Sequence, residues 1–292
     1  PPYYPDHPVV REDWAAYLDT FTLMDHQVGL VLERLRKEGI FDDTVIIFTT
    51  DHGVSHARGK QFCYDEGIMV PLVVHAPGRL DGGQIRDDLV AHIDIAATSL
   101  YFAGIELPGH LEARPLFGPQ ARPRAFVVSA RDRCDETYDR IRSVRTAGWK
   151  YIRNGYPQRP HLQPCVYKDQ KPIYQAIRAW AKDGKLDELQ LKLLLAPERV
   201  PEELYDLSTD PWELHNLAGD PAHAVRLAEL RGTLDGWIEG TGDQGQAVEP
   251  MAMYESDMKL YIDTLRKRKG DAHAGAIERN VQLMKSWWAA GR

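Results

Sequence analysis
The sequence predicts an α/β fold followed by a smaller α+β subdomain. Three observations carry this. A long stretch with helical apolar spacing precedes the continuously apolar, β-branched run at 45–50. A second short apolar run at 70–75 follows it, and a helix after that, which is the pattern of a layered sheet. Beyond residue 120 the pattern becomes short strands followed by helices.

Residues 1–11 are Pro-rich and predict a lead-in loop. From 12 to 38, Trp14, Tyr17, Leu18, Phe21, Met24, Val28, Val31, Leu32 and Leu35 recur at three- and four-residue steps. Arg36 and Lys37 suit the last turn of that helix, and Gly39 stops it. The run 45–50 is too short for a helix and predicts a central strand covered on both faces. The run 70–75 predicts a second strand with Pro71 at its start or on an edge, ended by Ala76-Pro77-Gly78. Asp94 is placed to cap a helix over 95–102 that stops at Gly104. Pro, Gly and Arg then dominate 107–124, which reads as a linker.

Strands are predicted at 126–129, 141–145, 150–153 and 203–207, with helices at 173–181, 186–195 and 222–239. Residues 241–249 are Gly/Gln-rich and expected to be flexible, and the tail from 251 is helical with a break at Gly270. Trp287 and Trp288 are expected to dock the tail on the body or on a partner. The division expected is 1–120, 121–245 and 246–292.

A hydrophobic fraction of 43% with 27% charged residues over 292 residues allows a sizeable buried core. The net charge of −7 argues against nucleic acid as a partner. No apolar run is long enough to span a membrane. Cys63, Cys134 and Cys165 have neither paired spacing nor an even count, so a zinc site or disulfide framework is not expected. The start Pro1-Pro2-Tyr3 lacks an initiator Met and reads as the interior of a longer chain, so a missing signal peptide does not bear on location.

The chemistry concentrates after the first strand. Asp51-His52-Gly53 puts a carboxylate at the C-terminal end of a strand, the rim where open sheets bind ligands, and a carboxylate there suits a hard cation. Gly53 lets the backbone turn away steeply. Lys60 follows in the next loop and would neutralise an anion beside that cation. Taken alone, Asp51 and His52 serve equally as a turn cap with a locally bonded ring, and Lys60 reads as a solvated loop lysine. His56 lies between them, either lining a pocket or on the surface. Residues 121–153 hold nine Lys/Arg against four acids, which either attracts an anionic substrate or forms a solvated face. Arg131 and Arg133 are the candidates there for substrate contact.

The joint order of Asp51-His52-Gly53, Gly59-Lys60, Tyr64-Asp65-Glu66-Gly67 and Val70-Pro71-Leu72 resembles the sulfatases of the alkaline phosphatase superfamily. Leu204-Tyr205-Asp206-Leu207, Asp210-Pro211-Trp212-Glu213 and Asn216-Leu217-Ala218 match that family's C-terminal signature. Residues 130–154 resemble bacterial members acting on sulfated glycans. Met69 stands where many relatives carry Arg. The resemblance implies part of an alkaline-phosphatase-like sandwich, a central mixed sheet with flanking helices. It implies sulfate ester hydrolysis on a sulfated carbohydrate or aryl sulfate, outside the cytosol in a periplasmic, secreted or lysosome-like compartment. It assigns Asp51 and His52 to a Ca²⁺ site and Lys60 and His52 to catalysis, while His56, Arg131 and Arg133 stand as substrate-binding candidates on their position and charge alone. The family's formylglycine motif, Cys/Ser-x-Pro-x-Arg, is absent, as are the paired aspartates that complete the metal site; both are expected before Pro1, and the isolated chain is expected to be inactive. The same superfamily also contains phosphomonoester, phosphodiester and phosphonate hydrolases, and a non-catalytic glycan-binding or truncated relative is a further alternative.

Overall fold
Strand pairing sorts the chain into two sheets, and the computed structural model describes all of residues 1–292. Helix α1 (Pro8–Lys37) begins one turn earlier than the apolar spacing suggests. Pro8 takes its first position, where no N–H is needed, and the His7 ring accepts the Val9 amide at 3.2 Å. Strand β1 (Ile46–Thr49) pairs antiparallel with β2 (Leu72–His75), Ile46 opposite His75 and Thr49 opposite Leu72. Pro71 lies just before β2, where its missing donor breaks no ladder bond. The expected burial of β1 on both faces is not met within this chain. Its four residues are half-buried, because β2 is the only neighbour the chain supplies.

The loop between these strands contains the short helix α2 (Asp65–Ile68), and α3 (Ile93–Ala103) follows β2. Gly104 ends α3 at φ 69°, as expected. Asp94 is not its cap. The cap position is His92, while the buried Asp94 carboxylate accepts the Ala91 amide at 3.0 Å and the Arg114 amide at 2.8 Å and pairs with Arg124. The Pro/Gly/Arg segment is therefore tied down rather than a free linker.

The second sheet is a four-stranded antiparallel meander of β3 (Val127–Arg131), β4 (Ile141–Arg145), β5 (Trp149–Asn154) and β6 (Glu202–Asp206). Between β5 and β6 lie α4 (Val166–Asp169), α5 (Pro172–Lys182) and α6 (Glu188–Leu195), the last opened by an Asp187/Gln190 capping box. Alternation along the strands divides the sheet's faces. Val144, Tyr151 and Leu204 pack on Leu227, Leu230 and Leu234 of α7 (Ala224–Thr241). Ile141, Ile152 and Tyr205 point the other way and meet Phe62, Cys63 and Tyr64. The loop after β1 thus rests on the C-terminal sheet. Another core joins Tyr3, Tyr4 and Val10 to α5 and α6. The tail forms α8 (Met251–Lys269) and α9 (Asp271–Ala289), broken at Gly270, and Trp288 stacks on Tyr138 at 4.6 Å, docking the tail on the body. No helix is long and apolar enough to cross a membrane.

Candidate active site
The segment from Asp51 to Phe62 leaves β1 and folds tightly on itself. Gly53 and Gly59 are required there by close backbone approach. A Cβ on Gly53 would meet the Glu66 carbonyl oxygen at 2.0 Å, and one on Gly59 would meet that of Val54 at 1.9 Å. In their place run the bonds from the Gly53 amide to Gly67 O (2.9 Å) and from the Lys60 amide to Val54 O (2.8 Å). Gln61 sits at φ 81°, a left-handed conformation rare for a residue with a side chain, and the neighbouring structure holds it.

That hold comes from the C-terminal half. Lys168 donates to the Lys60 carbonyl and, at 3.3 Å, to that of His56. Lys171 donates to Ser55 O at 3.0 Å, Arg131 to Gln61 O at 2.9 Å, and Arg58 to Glu213 O at 2.8 Å. Burial pushes the Lys168 ammonium down to about 7. Beneath the loop, Lys150 is fully buried and pairs with Asp65 and, at 2.9 Å, with Glu213; Arg145 reaches Asp65 at 3.2 Å. Burial alone would raise the Asp65 carboxyl, but the Lys150 and Arg145 cations hold it below its ordinary range. Glu66 accepts from the Tyr3 and Tyr4 hydroxyls, and burial raises its carboxyl.

Asp51, His52 and Lys60 all line one cleft of about 2240 Å³ that opens between the first sheet and the second. The Asp51 side chain is 86% exposed. His52 Nδ1 donates to the Gly53 carbonyl at 2.8 Å, which leaves the lone pair of a neutral ring on Nε2, 3.4 Å from Asp51 Oδ2. Two electron-pair donors facing each other at that separation suit a shared cation. A hard cation takes about six to eight oxygen ligands, and no third His, Cys, Asp or Glu gathers with them. The residues present therefore fit part of a ligand set.

The other predicted contacts are committed to partners within the protein. His56 is neither on the surface nor in the cleft: it is 3% exposed, 2.5 Å from Asp13, and enclosed by Tyr4, Trp14 and Tyr17. Burial lowers its pKa, with Asp13 opposing. Arg131 and Arg133 do reach the cleft wall, but their guanidinium groups are engaged. Arg131 pairs with Asp139 at 3.3 Å, and Arg133 with Glu249 at 3.1 Å and with Asp257. The surplus of positive charge at 121–153 is largely cancelled, since seven of its nine cations meet carboxylates, most brought from distant segments. The three cysteines are free, and burial pushes the Cys63 and Cys165 thiols up to about 11. Sequence reasoning missed Lys168 and Lys171, which carry no motif and matter only through the fold that sets them beside Lys60.

The sulfatase family model matches residues 1–105. Over 252 residues, 85% of this chain and 42% of the relative, the sequence is 34% identical to an ulvan-active sulfatase of Formosa agariphila. It is 32% identical over 257 residues to the human N-sulphoglucosamine sulphohydrolase, covering 83% of this chain and 51% of that protein. The chain thus spans about half the length of these relatives or less. Among solved structures, a 2-O GAG sulfatase superposes with a TM-score of 0.59 at 23% identity, over 80% of this chain and 44% of the other, which establishes a shared fold.

Proposed function
We propose that this chain is part of a sulfatase and that the protein hydrolyses sulfate esters, with a sulfated glycan as its substrate. The observation that carries the reading is the tight loop from Asp51 to Lys60, which presents a carboxylate, an imidazole and an unpaired ammonium group to one cleft. Relatives named for ulvan, N-sulphoglucosamine and N-acetylglucosamine-6-O-sulfate chemistry support a glycan over a simple aryl ester.

In this reading Asp51 contributes one oxygen to a Ca²⁺ site and His52 faces the same point, with the remaining ligands and a formylglycine nucleophile supplied from outside these residues. The cation, when bound, neutralises charge on the sulfate. Lys60 donates to an ester or sulfuryl oxygen, and its ammonium stabilises the negative charge that builds as the bond breaks. Lys168 and Arg131 hold the Lys60 and Gln61 carbonyls, so Lys60 meets the substrate without reorganising its backbone. A periplasmic, secreted or lysosome-like location is part of the same proposal.

The test is sulfate release by the full protein, matured with a formylglycine-generating enzyme. Lys60→Ala should lower kcat by about a hundredfold or more, and Asp51→Asn should raise the Ca²⁺ concentration needed for half-maximal activity. Faster hydrolysis of a matched phosphate ester than of the sulfate ester would overturn the assignment.

A further inference from the structure
Most cations near the cleft are matched by carboxylates, but three lysines are not ion-paired and lie together. The ammonium groups of Lys60 and Lys171 each lie 5.0 Å from the ring centroid of Tyr167. Lys168 lies beneath them, 1% exposed, with carbonyls and the rings of Phe62 and Tyr174 as its surroundings. The nearest acid on their own segment, Asp169, is spent on Arg178 at 2.7 Å and on the Cys165 amide at 2.9 Å. Asp13 is likewise occupied by His56.

Two ammonium groups beside one ring form a local excess of positive charge in a chain of net −7. The ring face offsets part of their repulsion. Lys171 uses one N–H on Ser55 O and keeps two for a ligand. Tyr167 is 45% exposed, so its remaining surface is open to a sugar. The two ammonium groups are separated by no more than the sum of their distances to the ring, a span that one sugar carrying two anionic groups can bridge.

The geometry points to a second anion subsite, formed by Lys171 and Tyr167 beside Lys60, for a sulfate or carboxylate carried on the glycan next to the ester being cleaved. It rests on the reading that Lys60 meets the reactive sulfate, and it narrows the substrate class to glycans with at least two neighbouring anionic groups. The ester sulfate meets Lys60, the neighbouring anion meets Lys171, and the sugar between them lies against Tyr167.

The full protein is assayed on 4-methylumbelliferyl sulfate, on a monosulfated glucosamine and on its disulfated counterpart. Lys171→Ala should raise KM for the disulfated sugar roughly tenfold, at least fivefold more than for the aryl sulfate, the worth of one charge-assisted contact. Tyr167→Ala should act in the same direction more weakly, and Lys171→Arg should restore most of the difference. An equal rise for all three substrates would mean that Lys171 only braces Ser55, and no rise would mean no contact; either overturns the subsite. If the wild-type protein cleaves no sulfate ester, the esterase reading fails separately. Calorimetric binding of the disulfated sugar to wild type and Lys171→Ala then decides the subsite, with equal affinities counting against it.

Discussion
The two sheets are built to different standards. In β4, β5 and β6 eleven of sixteen residues are buried, with α7 on one face and the loop at 62–64 on the other. In β1 no residue is fully buried, and of the thirty residues in α1 only Val10 is. Leu18, Leu23, Leu30 and Val31 on α1 and Val73 on β2 are all more than half exposed. Yet the weakly covered sheet carries Asp51 and the well-packed one carries no proposed catalytic group. The packed sheet instead serves as the bed on which the site loop is held.

The largest effect that would sharpen this contrast comes from the buried charges of that bed. Lys150→Met leaves Asp65 and Glu213 buried without their shared cation and should cost about 3–5 kcal/mol in urea unfolding. A loss near zero would mean that the network is not holding the loop. Next, Leu204→Ala in the packed sheet should cost about 2–5 kcal/mol, and Ile47→Ala in β1 less than half as much, because a half-open site leaves a smaller cavity. Equal costs would erase the distinction between the sheets. Native-state hydrogen exchange should show the same order, with the β1 and β2 amides exchanging faster than those of β4 and β5.

The smallest effect probes the seam between the regions. With its pKa lowered to about 7, folded Lys168 gives up a proton that the unfolded chain keeps up to the ordinary lysine range. Above about pH 7 the unfolded state therefore binds more protons, and stability gains as pH rises. Between about pH 7 and 8 the gain should be at most roughly 1.4 kcal/mol, and Lys168→Met should remove it. A slope that survives in the variant would place the titration elsewhere.

The elements were largely legible, since period and punctuation are local properties. The strands of the second sheet, the stop at Gly104 and the break at Gly270 lie where alternation and glycine put them. Gly53 was also recognisable, although it is needed for contact with the Glu66 carbonyl rather than for a positive φ. What could not be read was pairing across distance. Asp94 looks like a cap because its partners Arg114 and Arg124 are brought in by the fold, and His56 looks like a pocket residue because its partner Asp13 lies 43 residues earlier, on α1. The charge count at 121–153 misled for the same reason, as its neutralising acids lie in other segments.

One of those distant pairs has a consequence for how such a molecule diversifies. Arg133 lies on the cleft wall, but its charge is met by Glu249, just before α8, and by Asp257 on α8. The tail thereby acts as a dimmer on the cleft's electric field. Exchanging those two acids for neutral residues would brighten the field toward anions while leaving every residue of the wall in place, so the cleft's pull on anions can drift through substitutions in the tail.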